Sequence, residues 1–373
     1  MRKKVASILL LILLVIGLSL LWTGYLEKVR ILNPTVEARL DQLMQSSLEK
    51  YNAPGMILGV WVPGRGNYFK ALGTANLATR ADMDPTNRFR IGSLTKTFTA
   101  TVVLQLIDEG RLGLDDSIEK YTAHVPQADK ITIRQLLNMT SGVYDYTELF
   151  WLEEQLAENR FGNWVPEELV AAAVTHKPNF EPGQGYHYSN TNYVLLGMIV
   201  EKLTGDRLNN QIKMRITDKL RLTNTFFPSG NKIIGNYISG YFDEKENGKL
   251  IDWTEQDVSR AWASGAIVSN VYDLKTYIKA LGEGVFLSRE LQHVRLSDWV
   301  DIKSKQISSL QYGLGIFTLG GFVGYNGELP GYVTLAMYNP QNKATIVFML
   351  NTQPAQAEAA LMIFQELLEI VFP

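Results

Sequence analysis

Residues 91–110 read Ile91-Gly92-Ser93-Leu94-Thr95-Lys96-Thr97-Phe98-Thr99-Ala100-Thr101-Val102-Val103-Leu104-Gln105-Leu106-Ile107-Asp108-Glu109-Gly110. Phe98, Val102 and Leu106 recur at i, i+4 and i+8 with Val103 and Ile107 beside them, which predicts an amphipathic helix stopped by Gly110. Ser93 and Lys96 then lie three apart on one face of its first turn. A hydroxyl meets an amine at the positive end of a helix, where spare N–H groups point at whatever approaches. A serine there can attack an acyl carbon while its own N–H donates to the developing oxyanion. A lysine held beside apolar side chains is disfavoured in its charged form and can serve as a base.

Ser-x-x-Lys alone is a weak pattern, and the chain contains it four times: Ser47–Lys50, Ser93–Lys96, Ser117–Lys120 and Ser229–Lys232. Ser47 and Ser117 lie among charged and polar residues and read as solvated surface. Pro228-Ser229-Gly230-Asn231 reads as a turn. Only Ser93 follows a glycine and opens a long apolar helix, and even there a plain helix cap beside a surface lysine is the competing explanation.

The 373 residues suffice for one large domain or two ordinary ones. A formal net charge of −2 leaves no basic footprint, so nucleic acid is not expected as a partner. The absence of cysteine excludes disulfides, thiolate catalysis and cysteine-ligated metals. With four histidines and no His-Glu-x-x-His pattern, no metal and no cofactor are expected.

Arg2, Lys3 and Lys4 precede Val5–Trp22, eighteen residues without a charge. As a helix that run is about 27 Å long, close to the hydrocarbon thickness of a bilayer. The basic flank predicts a cytoplasmic N-terminus with the remainder outside. A cleaved signal peptide would begin in the same way, but no small-x-small site follows the run. Residues 1–30 are therefore read as a basic flank and an uncleaved anchor. Residues 31–373 are read as one domain, extracytoplasmic at the cell membrane.

Pro34–Tyr51 has helical spacing, with proline suited to the first turn. Met56–Val62 and Tyr68–Leu72 flank a Pro-Gly turn and read as a hairpin. Tyr312–Thr318, Gly321–Tyr325, Tyr332–Asn339 and Ala344–Leu350 read as further strands, and Glu358–Val371 as a closing helix. Between them the chain from Ser93 to about Leu222 is mostly helical. The expected fold class is α/β (α+β): an antiparallel sheet built from both ends of the chain, with flanking helices and an inserted helical lobe over about 93–222.

Two further segments carry chemistry. Tyr186-His187-Tyr188-Ser189-Asn190 precedes a predicted helix over Thr191–Leu203. Ser189 or Asn190 can simply cap that helix, or Tyr188 and Asn190 can face the Ser93–Lys96 corner, where a phenol could shuttle the serine proton. Gly324-Tyr325-Asn326-Gly327-Glu328-Leu329-Pro330-Gly331-Tyr332 lies between predicted strands. It reads either as a glycine-rich hairpin turn or as backbone that a ligand can approach closely.

The three segments in this order resemble the penicillin-binding and β-lactamase-like serine hydrolases, in the branch of class C β-lactamases and D-alanyl-D-alanine carboxypeptidases. Leu136-Leu137-Asn138-Met139-Thr140-Ser141-Gly142, Phe180-Glu181-Pro182-Gly183 and Ala263-Ser264-Gly265-Ala266-Ile267-Val268-Ser269 extend the likeness from about Val36 to Leu350. The resemblance implies Ser93 as nucleophile and Lys96 as its proton acceptor or the tuner of Tyr188. It implies Tyr188 as proton donor to the leaving group and Asn190 as the residue that orients substrate. It also implies an oxyanion hole from the N–H groups of Ser93 and Glu328.

The family's third element usually begins with Lys or His, and here it is Tyr325-Asn326-Gly327. A neutral phenol holds a substrate carboxylate less well than a cation. The resemblance implies a D-Ala-D-Ala carboxypeptidase acting on cell-wall peptide, and this departure raises a D-alanyl esterase acting on teichoic acids. A β-lactamase, a general carboxylesterase and a non-catalytic wall-binding protein are also compatible with these segments. No Gly-x-Ser-x-Gly elbow or Gly-x-Gly-x-x-Gly loop supports another hydrolase or a nucleotide binder.

Overall fold

The computed structural model describes residues 32–122, 124–149, 162–243, 247–304, 307–354, 356 and 358–373. The expected anchor, Val5–Trp22, lies outside them. Among the described residues no helix is long and apolar enough to cross a membrane.

Helix α1 (Pro34–Lys50) begins at Asn33, whose side chain accepts from the Thr35 N–H at 2.9 Å, with Pro34 in the first turn. It leads into β1 (Gly55–Val62) and β2 (Gly66–Asn76), a hairpin extended at its edge by β3 (Ala81–Asp82). The other half of the sheet comes from the far end of the chain: β8 (Val300–Asp301), β9 (Gln311–Tyr312), β10 (Phe317–Leu319), β11 (Phe322–Leu329), β12 (Tyr332–Tyr338) and β13 (Thr345–Leu350). The nine strands run in the order β3-β2-β1-β13-β12-β11-β10-β9-β8. The halves join where β1 pairs antiparallel with β13, Ile57 opposite Met349 and Val60 opposite Ile346. All six residues of β13 are buried, because helices cover both faces of the sheet centre. A strand covered on both sides loses the polar–apolar alternation, which is why Thr345–Leu350 reads as a continuous apolar run.

Shorter strands lie apart from this sheet. β4 (Phe89–Arg90) pairs with β7 (Val268–Ser269), while β5 (Tyr241–Phe242) and β6 (Ile251–Asp252) join β14 (Thr352–Gln353). Between β4 and β5 the elements of the described residues are helices, among them α2 (Thr95–Asp108), α3 (Ile133–Leu137), α4 (Pro166–Ala173) and α5 (Asn190–Thr204). The short α6 (Trp262–Gly265) packs on α2 and α5. Helix α7 (Val271–Gly282) covers β12 and β13, and α8 (Ala359–Val371) packs on α1.

Four expectations are corrected. Helix α2 is not amphipathic, since every residue from Thr95 to Leu106 is buried. Its threonines look like a solvent face in the sequence, but their hydroxyls are satisfied inside: Thr97 donates to the Leu94 carbonyl, Thr101 to that of Thr97 and Thr99 to that of Ala263. Ser47 is not solvated either; it is 3% exposed on the packed face of α1. Tyr312–Thr318 is two strands, not one. The break falls at Gly315, whose φ of +74° lets the backbone turn against α2, where an added Cβ would lie 2.1 Å from that of Ala100. Finally, Gly324–Leu329 is not a loop. It lies within β11 and pairs with β12, Asn326 opposite Leu335 and Glu328 opposite Val333, leaving only Pro330-Gly331 as the turn.

Candidate active site

Ser93 sits in a single 3-10 turn, Gly92–Leu94, that feeds directly into α2. Two glycines let this turn touch β11. Gly92 has φ +53°, and a Cβ there would lie 2.7 Å from the Glu328 nitrogen. A Cβ on Gly327 would lie 1.9 Å from the Ile91 carbonyl oxygen, which also accepts from the Thr334 hydroxyl at 3.0 Å. Ser93 is thereby held against the strand that carries Tyr325-Asn326-Gly327-Glu328. The first N–H groups of such a turn have no partner within it.

Lys96 is fully buried, and its Nζ donates to three acceptors: Ser93 Oγ at 3.1 Å, Asn190 Oδ1 at 2.7 Å and the Ser264 carbonyl at 2.9 Å. Tyr188 Oη donates to Ser93 Oγ at 2.8 Å, and its ring lies 4.9 Å from Lys96 Nζ. Asn190 opens α5, whose preceding residue, Ser189, makes no side-chain cap; its hydroxyl donates instead to the Tyr144 carbonyl. The Asn190 amide donates to Asp145 Oδ2 at 3.0 Å and to Thr147 Oγ1 at 3.2 Å. Those two bonds fix its orientation, so Oδ1 must face Lys96.

Burial pulls the Lys96 ammonium down to about 7, against the Asp145 charge, which pushes it up. Burial also raises the Asp145 carboxyl, against hydrogen bonds from Thr147 and Asn190 and the charge of Lys96. The Tyr188 phenol is raised, again chiefly by burial, so it stays neutral. When Lys96 loses a proton, the Ser264 carbonyl and Asn190 Oδ1 still demand donors, because both can only accept. The amine's two remaining hydrogens satisfy them, and its lone pair is left facing Ser93 Oγ. That arrangement can deprotonate a serine.

Five of the sequence-predicted residues line two walls of one cavity of about 380 Å³, whereas Lys96 and Asn190, the latter expected to orient substrate, do not line it. Ser93 and Tyr188 line it from the helical side, and Tyr325, Asn326 and Glu328 from β11. Gly327 does not line it; its part is the close approach to Ile91. Tyr325 is 2% exposed and its hydroxyl is bonded to that of Tyr312. An adjoining cavity of about 700 Å³ shares Tyr186 and Ile302 with the first, so the cleft continues past the nucleophile. Of the remaining Ser-x-x-Lys pairs, Ser117 caps its own turn through the Glu119 N–H, and Ser229 is exposed in a bend. Among the described residues no cluster could hold a metal ion.

Asp145, Thr147 and the Ser264 carbonyl complete this corner, and no sequence motif marks them as its partners. Ser264 had a signal, because it lies in the Ala263–Ser269 segment. That segment is anchored on α2 by the Thr99 hydroxyl and by the Ile267 N–H, which donates to Thr95 Oγ1 at 3.1 Å. Asp145 had none, being one acidic residue after Thr140-Ser141-Gly142. The segments around it act as struts. Ser141 donates to Asn192 Oδ1 at 2.6 Å, and Gly142, at φ +77°, packs where a Cβ would meet the Phe180 carbonyl at 2.1 Å.

The chain is similar to known proteins over most of its length. A family model described as Beta-lactamase matches residues 40–368. Penicillin-binding protein 4* of Bacillus subtilis is 26% identical over 346 residues, covering 84% of this chain and 71% of that protein. Protein flp of Staphylococcus aureus is 26% identical over 327 residues, covering 84% of this chain and 63% of that protein. The chain thus spans less than two thirds of the second relative. Among solved structures, a D-stereospecific amidohydrolase from Streptomyces sp. is 31% identical with a TM-score of 0.80, covering 90% of this chain and 98% of that one.

Proposed function

The chain belongs to the Beta-lactamase family of serine hydrolases, and from that premise we propose that it hydrolyses bonds at D-alanyl carbonyls in the bacterial cell envelope. The observation that carries this is Ser93 Oγ held between Lys96 Nζ at 3.1 Å and Tyr188 Oη at 2.8 Å at the mouth of a cavity. Likeness to a D-stereospecific amidohydrolase supports the D configuration. The run Val5–Trp22 would hold the enzyme at the membrane with its catalytic part outside.

In the reaction Lys96 takes the proton of Ser93 while Oγ bonds to the acyl carbon. The oxyanion is received by the N–H groups of Ser93 and Glu328, each donor contributing roughly 10²–10³ in rate. The bond to the leaving group breaks, and Tyr188 hands it a proton that is replenished from Lys96. Water, deprotonated by the same pair, then cleaves the acyl–Oγ bond and regenerates Ser93. Asn190 and Asp145 orient Lys96 throughout. The raised Tyr188 phenol favours Lys96 as the base over a tyrosinate.

The first substrate reading is a peptide ending in D-Ala-D-Ala. The second is a D-alanyl ester on a teichoic acid, favoured by Tyr325, a buried neutral residue engaged with Tyr312 where a cation would serve a carboxylate. D-alanine release by the full chain from each polymer, with Ser93→Ala as control, tests both. Release from neither, with wall binding retained, would leave a non-catalytic binder.

A further inference from the structure

The lining of the catalytic cavity is lopsided in charge. Two carboxylates, Glu328 and Glu358, face the space in front of Ser93, and no Lys, Arg or His lines it among the described residues. Lys96 stands behind the nucleophile, fully buried. The adjoining cavity is lined by one residue of each charge, Lys303 and Asp301. Among the described residues Glu358 has one partner, the Ser304 hydroxyl, which donates to Oε2 at 3.0 Å. The Glu328 side chain has no hydrogen bond and no opposite charge among the described residues, although it is largely enclosed. Burial and then the neighbouring Glu358 raise its carboxyl above the usual range. An enclosed carboxylate beside a second one is unfavourable unless it takes a proton or a cation joins them.

The remaining walls also suit a cation. Tyr312 and Tyr325 stand edge to face with centroids 5.8 Å apart, and Phe317 and Tyr186 lie 5.5 Å and 5.8 Å from Tyr325 and Tyr312 respectively. Aromatic faces attract ammonium groups most where water is excluded. Two independent features, the carboxylates and the rings, thus point to one ligand chemistry in one cavity.

Building on the reading that Ser93 is acylated, we infer that the acyl donor enters with a free ammonium group, which Glu328 receives with help from Glu358 and the aromatic walls. The substrate class is then an ester or amide of an amino acid whose own amine is unblocked, such as a D-alanyl ester. A chain that ends in a carboxylate would place its anion against Glu328. Glu328 acts twice: its N–H serves the oxyanion and its side chain selects the substrate.

The test uses the full chain in detergent with D-alanine p-nitroanilide, N-acetyl-D-alanine p-nitroanilide and an N-acylated peptide ending in D-Ala-D-Ala. The free amine should be preferred over its acetylated form by at least tenfold in kcat/KM. Glu328→Gln, which keeps the backbone N–H, should lower that ratio by tenfold or more, and Glu358→Gln should lower it less. An acetylated or carboxylate-ended substrate that reacts as well as the free amine overturns the inference, as does an unchanged ratio in Glu328→Gln. Labelling of Ser93 by a fluorophosphonate separates the two levels. If Ser93 labels and no preference exists, only the ammonium inference fails; if it does not label and nothing is hydrolysed, the hydrolase reading fails and takes the inference with it.

Discussion

Lys96 and Glu328 face the same nucleophile from opposite walls of the cleft, and their surroundings differ in kind. Lys96 is enclosed by three acceptors, each held in place by others, with Asn190 pinned by Asp145 and Thr147 and the Ser264 carbonyl by α6 packed on α2. Glu328 sits on a strand with rings around it and no partner of opposite charge among the described residues. A satisfied polar network is rigid and tolerates little change. A charged group left without a partner is poised for something that arrives. On the proposed mechanism the side chains of the helical wall move protons and those of the β11 wall select substrate, so the two should respond differently to substitution.

The largest effect is expected at the nucleophile itself. Ser93→Ala should abolish acyl-enzyme formation and lower kcat by roughly 10⁴–10⁶-fold, and retained fluorophosphonate labelling would place the nucleophile elsewhere. Next, Lys96→Ala and Tyr188→Phe should each slow acylation by roughly 10²–10⁴-fold; near-normal burst kinetics would break the proton relay. Both substitutions act on the helical wall, so all substrates should suffer alike.

Asp145→Asn sharpens the contrast, because Asp145 lines neither cavity. Its charge pushes the Lys96 pKa up, so its removal should let that pKa fall below about 7. In the parent enzyme kcat/KM should rise with pH through about 7, as Lys96 becomes neutral, and should be lost below it. In the variant that limb should move to lower pH, while the maximum drops as the Asn190 amide loses its fixed orientation. A limb that stays in place would mean that Lys96 is not the titrating base. The smallest effect belongs to the β11 wall: Tyr325→His should raise activity towards carboxylate-ended substrates severalfold, and no change would mean that another group meets the carboxylate.

Much of the fold is legible in the sequence because it is written in short-range pattern. Pro34–Lys50, the hairpin of β1 and β2, and the apolar runs of β12 and β13 carry their own periodicity and punctuation. Pattern misleads where tertiary burial overrides it. Thr97, Thr99 and Thr101 mimic a polar face but bond inside a helix packed on all sides, and Gly324-Tyr325-Asn326-Gly327 mimics a turn but extends a strand. Gly327 serves the approach of the Ile91–Ser93 turn, while Gly324 packs against Ala336 and Met337 of β12.

By itself the sequence determined that Ser93 and Lys96 meet, since three residues along a helical turn suffice. It also carried the family segments that implied Tyr188 and Asn190 beside them. Only the tertiary structure decided that Lys96 is buried deeply enough to lose its proton near neutrality, that Asp145 and the Ser264 carbonyl aim it, and that Glu328 lines the cavity without a side-chain partner among the described residues. Those properties depend on desolvation and on contacts between residues tens to hundreds of positions apart, which no local spacing encodes.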